Sequence, residues 1–143
     1  MRWPVKDLPS RKYKPGIDPF SNEKAAEDWI AQAARVFGWR RYHTHRSKNS
    51  PSGYPDDMLI RGPRLIYAEV KTCWNPNPTD AQKAWLNDLA AWRDVFDLYR
   101  GFGDAAITPH IGAALSFEVY LWRFGRPDNP DYVSVDDVLA VLR

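Results

Sequence analysis

Two short apolar runs on either side of Arg61-Gly62-Pro63-Arg64 constrain this chain more than any other feature. Met58-Leu59-Ile60 and Leu65-Ile66-Tyr67-Ala68 each read as a strand. The segment between them reads as a turn, because glycine tolerates unusual backbone angles and proline cannot continue an interior strand. A two-residue Gly62-Pro63 loop pairs residue 61 with residue 64, and therefore residue 56 with residue 69. Asp56 and Glu69 then face each other with β-carbons roughly 4.5–5.5 Å apart, close enough to grip one cation. Lys71 lies two residues beyond Glu69 and points to the same face of its strand.

The elements around this hairpin follow from periodicity and punctuation. Residues 1–20 are basic and proline-rich and read as an extended arm. Ser21 or Asn22 caps a helix running to about Phe37, with Ala26, Trp29, Ile30, Ala33 and Phe37 on its apolar face. Gly38 ends it. Trp39 to His45 is a strand, and Ser47 to Gly53 a polar loop. After Asn75-Pro76-Asn77-Pro78, the sequence Thr79-Asp80-Ala81-Gln82 fits a capping box that opens a second helix. Trp85, Leu86, Leu89 and either Trp92 or Arg93 continue it toward Tyr99. Gly101, Gly103, Pro109 and Gly112 break up the stretch 100–115, which reads as a loop or lid with a short helical piece. Phe117 to Phe124 is a strand. Ser134 caps a last helix with Val135, Val138, Leu139 and Leu142 on one face. The order is α-β-β-β-α-β-α, an α/β chain with a small mixed sheet flanked by helices.

The chain has 143 residues, the length of one domain, and 21–143 is read as that domain. It holds 44% hydrophobic and 27% charged residues, which suits a soluble globular protein. No apolar run is long enough to span a membrane. Met1 to Asp7 has no apolar segment, so no secretory signal is expected. A single cysteine, Cys73, excludes an intrachain disulfide and suits a reducing cytoplasm. Net charge is +2, unevenly spread. From Trp29 to Pro55 there is no acidic residue, while Arg35, Arg40, Arg41, Arg46 and Lys48 fall there. A basic stretch leading into a carboxylate pair suits a polyanionic substrate.

The chain resembles the VRR-NUC (virus-type replication-repair nuclease) family of the PD-(D/E)xK nuclease superfamily. The residues that carry the likeness are Gly38-Trp39, Tyr42-His43-Thr44-His45, Ser50 to Asp56, Glu69-Val70-Lys71, Gln82 to Leu86, and Val119 to Arg123. They fall in family order over about 22–142. The segment at about 94–116 departs from the pattern, being longer than the family's usual connection. The resemblance implies a restriction-endonuclease-like core and a Mg²⁺-dependent DNA endonuclease, with Mn²⁺ able to substitute. Asp56 and Glu69 would be catalytic carboxylates and metal ligands, with the Val70 carbonyl as a further ligand. Lys71 would orient the attacking water or steady the developing charge. Glu27 lies eleven residues before Gly38, the spacing of the helix-borne metal ligand in related junction resolvases; Glu23, one turn earlier, competes for the role.

Gln82 matches a glutamine that helps hold water or phosphate in the family, and it is also the third helical residue of the capping box. His43 and His45 alternate along a strand with Tyr42 and Thr44 and are expected to face the DNA backbone or the site's entrance. Arg41, Arg46, Lys48 and Ser50 are candidates for phosphate contacts. Trp74 could stack on a base or pack into the fold, and packing is the reading taken. Small members resembling this chain come mostly from bacteriophages and bacteria, and some resolve four-way junctions as homodimers. A homodimer acting on branched DNA in replication, recombination or repair is therefore expected, in the cytoplasm of the cell or of a phage's host. Cutting of flaps or single strands is the alternative within the enzyme class. A non-catalytic nucleic-acid-binding module on a nuclease fold is the alternative outside it.

Overall fold

Asn22 caps the first helix, α1 (Glu23–Val36), its side-chain oxygen accepting from the Ala25 amide at 2.8 Å. The computed structural model describes Phe20 and residues 22–44, 51–102, 115–125 and 130–143, with backbone alone at 99–102. Four strands follow or interleave: β1 (Arg40–His43), β2 (Asp57–Arg61), β3 (Arg64–Thr72) and, after helix α2 (Asp80–Phe102), β4 (Ser116–Phe124). Helix α3 (Val135–Leu142) closes the order, which is the one expected from the sequence. The four strands form one sheet in the order β1-β2-β3-β4.

The hairpin register is the expected one. β2 and β3 are antiparallel, with Arg61 opposite Arg64 and Asp57 opposite Ala68. The pairing ends at Asp57, where β2 begins; continued one step, the same register would set Asp56 opposite Glu69. Leu59, Ile66, Ala68 and Val70 are fully buried, as period-two alternation requires of one face. From Ala68 to Thr72 every residue of β3 is buried, so both faces are covered there. A central strand covered on both sides reads as an unbroken buried run.

Packing divides the chain into two units: one combines the chain up to Arg41 with Val70–Asn77 and Leu121–Arg143, the other Tyr42–Glu69 with Pro78–Tyr120. In the first, Phe20, Trp29 and Phe124 pack in tilted and edge-on contacts with centroids 5.0–6.3 Å apart. Phe20 is only 5% exposed, so it belongs to this core and not to an extended arm. The Trp39 indole donates to the Leu142 carbonyl at 2.7 Å, satisfying a buried polar atom. Val135, Val138, Leu139 and Leu142 are all buried, as the α3 pattern predicts.

In the second unit Tyr54 meets Tyr67 and Trp85 edge-on, and Tyr67 meets Phe117. Thr79 and Gln82 form the expected capping box: the Thr79 amide donates to Gln82 Oε1 at 2.8 Å, and the Gln82 amide to Thr79 Oγ1 at 3.2 Å. The sequence places the end of this helix near Tyr99, with a loop or lid and a short helical piece at 100–115. α2 instead runs to Phe102, through Gly101. One glycine costs a helix only about 1 kcal/mol, which a helix this long absorbs. Residues 94–102 of the atypical segment are therefore helical, and 103–114 lie outside the described residues. Among the described residues, no helix is long and apolar enough to cross a membrane.

Candidate functional site

The loop leading into β2 is held tightly. The Thr44 amide donates to the Asp56 carbonyl and the Thr44 hydroxyl to the Pro55 carbonyl, both at 2.8 Å. Gly53 has φ +84, and a β-carbon there would lie 2.4 Å from the Ala81 carbonyl carbon. The Gly53 backbone therefore lies flush against the first turn of α2, and only glycine fits. The Tyr54 hydroxyl is pushed up to about 12 by its hydrogen bond with Tyr67, by burial and by the neighbouring Tyr67 charge. Asp56 thus starts from a backbone position fixed by Thr44 on one side and by the Gly53 approach on the other.

The carboxylates are more buried than an exposed strand-edge pair would be. Asp57 is 0%, Glu69 1% and Lys71 3% exposed. Burying charge is costly unless it is compensated, so each of these three groups needs partners within the fold. Asp57 was passed over in the sequence in favour of Asp56. It is in phase with Leu59 on the covered face, and His43 Nδ1 lies 3.5 Å from its Oδ1. The doublet Asp56-Asp57 and its alternation with Leu59 were the available signals. His43, expected toward DNA or the entrance, faces this carboxylate and is partly exposed. Thr44 is a second residue the sequence reading missed, since nothing local shows what its hydroxyl reaches.

In the other unit Lys71 Nζ lies 3.7 Å from Glu23 Oε1, and Glu23 also accepts from Asn75 Nδ2 at 3.2 Å. Glu27, the favoured helix carboxylate, accepts from Arg41 Nη2 at 2.8 Å. Arg41, expected on phosphate, has its guanidinium on that carboxylate and is largely buried. Val70 is fully buried in β3. Gln82 has its side-chain oxygen committed to the cap. His45, Arg46, Lys48 and Ser50 lie outside the described residues. Trp74, read as packed, is 69% exposed: it sits in the turn after β3, beyond the last covered residue, Thr72.

A small mixed four-stranded sheet with three helices defines an α/β protein that buries two carboxylates and a lysine in its central hairpin strands. The chain matches no protein-family model, no curated protein and no solved structure.

Proposed function

We propose that the protein is a Mg²⁺-dependent DNA endonuclease on a restriction-endonuclease-like core, acting on branched DNA as a homodimer. The observation that carries the reading is the burial of Glu69 and Lys71, two residues apart on β3. Two residues apart on a strand means one face. The register continued one step sets Asp56 opposite Glu69, and this is the pair that would hold a divalent cation. Carboxylate oxygens are the donors that Mg²⁺ prefers. Mn²⁺, which takes the same oxygen donors, is expected to substitute. When bound, such a cation offsets charge on the scissile phosphate and makes water a stronger nucleophile.

The chain's own residues do the rest. The Lys71 ammonium, on the same face as Glu69, donates to the phosphate oxygens as charge builds. Glu23 keeps that ammonium oriented. Thr44 holds the backbone at Asp56, so the carboxylate is positioned before substrate arrives.

The test is incubation with four-way junction, flap, single-stranded and duplex DNA, with Mg²⁺ or with EDTA. Mg²⁺-dependent cutting that favours the junction is expected, with a loss of at least about 100-fold in Lys71→Ala and Asp56→Asn. No Mg²⁺-dependent cutting of any of the four overturns the reading. Full activity in both variants removes these residues from the site.

A further inference from the structure

Trp74, three residues beyond Lys71 in the chain, is 69% exposed. Its turn is not loose. The Asn75 amide donates to the Thr72 carbonyl at 3.1 Å, and the Asn75 side chain to Glu23 at 3.2 Å. Arg123 Nε donates to the Pro76 carbonyl at 2.7 Å. Three bonds therefore fix the turn that carries the indole, so a ligand stacking on it loses little entropy in ordering the protein. The same bonding puts a guanidinium on the carbonyl two residues past Trp74, where Arg123 also lies 5.8 Å from the Tyr132 ring. An aromatic face on a fixed turn and a guanidinium of β4 bonded to that turn are the two groups that a single-stranded nucleic acid engages, its base taking the ring and its phosphate the cation. A paired base inside a duplex offers no free face to such a ring.

We propose that Trp74 is a stacking platform for an unpaired nucleobase, with Arg123 as its phosphate partner. The inference rests on the nuclease reading only in taking the substrate to be nucleic acid. It specifies that substrate as one with unpaired bases three residues along the chain from Lys71. Stacking energies of this kind correspond to roughly 5- to 150-fold in affinity per base.

The experiment is fluorescence anisotropy of a labelled oligothymidylate in EDTA, so that binding is read without cutting, with relaxed circular duplex as competitor. Trp74→Ala is expected to bind the oligothymidylate roughly 5- to 150-fold more weakly, and Trp74→Phe within a few-fold of the parent. Competition by the circular duplex should be unchanged. Circular dichroism of both variants should overlay the parent, because the side chain lies outside the core. Equal affinity in Trp74→Ala, equal loss toward the circular duplex, or no binding of oligothymidylate by the parent overturns the proposal. If the parent cuts DNA while Trp74→Ala binds normally, stacking fails and the nuclease reading stands. If Trp74→Ala loses binding while no DNA is cut, stacking stands and the nuclease reading falls.

Discussion

Replacing Gly53 by alanine tests the joint that holds the Pro55-Asp56 loop against α2. Two penalties follow from the structure. The backbone at Gly53 has φ +84, a left-handed conformation that costs an L-residue about 1–2 kcal/mol. The new methyl would also lie 2.4 Å from the Ala81 carbonyl carbon and 2.6 Å from both the Ala81 oxygen and the Gln82 nitrogen. These are backbone atoms of a capped helix and cannot rotate aside, so either the loop or the helix start must move, at about 1–3 kcal/mol. Loss of freedom in the unfolded chain returns about 0.4–1 kcal/mol. The net expectation is a loss of about 1–4.5 kcal/mol.

Gly38 supplies the control. Its φ is +79, nearly the same, and nothing lies within 4 Å of a β-carbon built there. Gly38→Ala should therefore show only the conformational terms, about 0–1.6 kcal/mol. Urea unfolding of both variants, with the slope compared to confirm similar exposure on unfolding, separates the terms. Gly53→Ala should exceed Gly38→Ala by about 1–3 kcal/mol. Equal losses in the two would refute the close approach of the loop to α2.

Two further outcomes follow from local chemistry. Arg64 donates twice to Glu118, at 2.9 and 2.8 Å, and Ser116 and Tyr120 donate at 2.9 and 2.8 Å. Burial pushes the Glu118 carboxyl up, but these bonds and the Arg64 charge outweigh it and leave the carboxyl below its ordinary 4.5. A lowered folded pKa means stability that is fully present above about 4.5 and drains as pH falls through the folded value. Glu118→Gln should cost roughly 1–3 kcal/mol at neutral pH and flatten this acid-limb loss in urea titrations; an unchanged limb would show that the network does not govern it. Thr79→Ala removes the hydroxyl that accepts from the Gln82 amide and should lower stability by about 0.5–2 kcal/mol in the same assay, whereas no loss would mean the α2 start is held by packing alone.

Much of the fold was legible because its causes are local. The 61–64 pairing followed from a two-residue turn, and pairing at the turn fixes every pair along the hairpin. Asn22, Thr79 and Ser134 announced their helices because a cap joins residues three apart. The α3 face was readable because a helix repeats every 3.6 residues. The end of α2 was not readable: glycine disfavours a helix by an amount that length can absorb, so Gly101 did not stop it.

The sequence alone determined the order of elements, the hairpin register and the lysine two residues beyond a strand glutamate, because neighbours along the chain impose these through turn, cap and period. Only the tertiary structure decided which aspartate is fully buried, that His43 faces Asp57, that Glu23 lies beside Lys71 while Glu27 holds Arg41, and that Trp74 stays in water. Those outcomes depend on residues 14 to 48 positions apart meeting in space (Glu27 with Arg41, Glu23 with Lys71). No local period encodes such meetings. They arise when sheet and helices cover one another, and burial then decides which charges must find a partner.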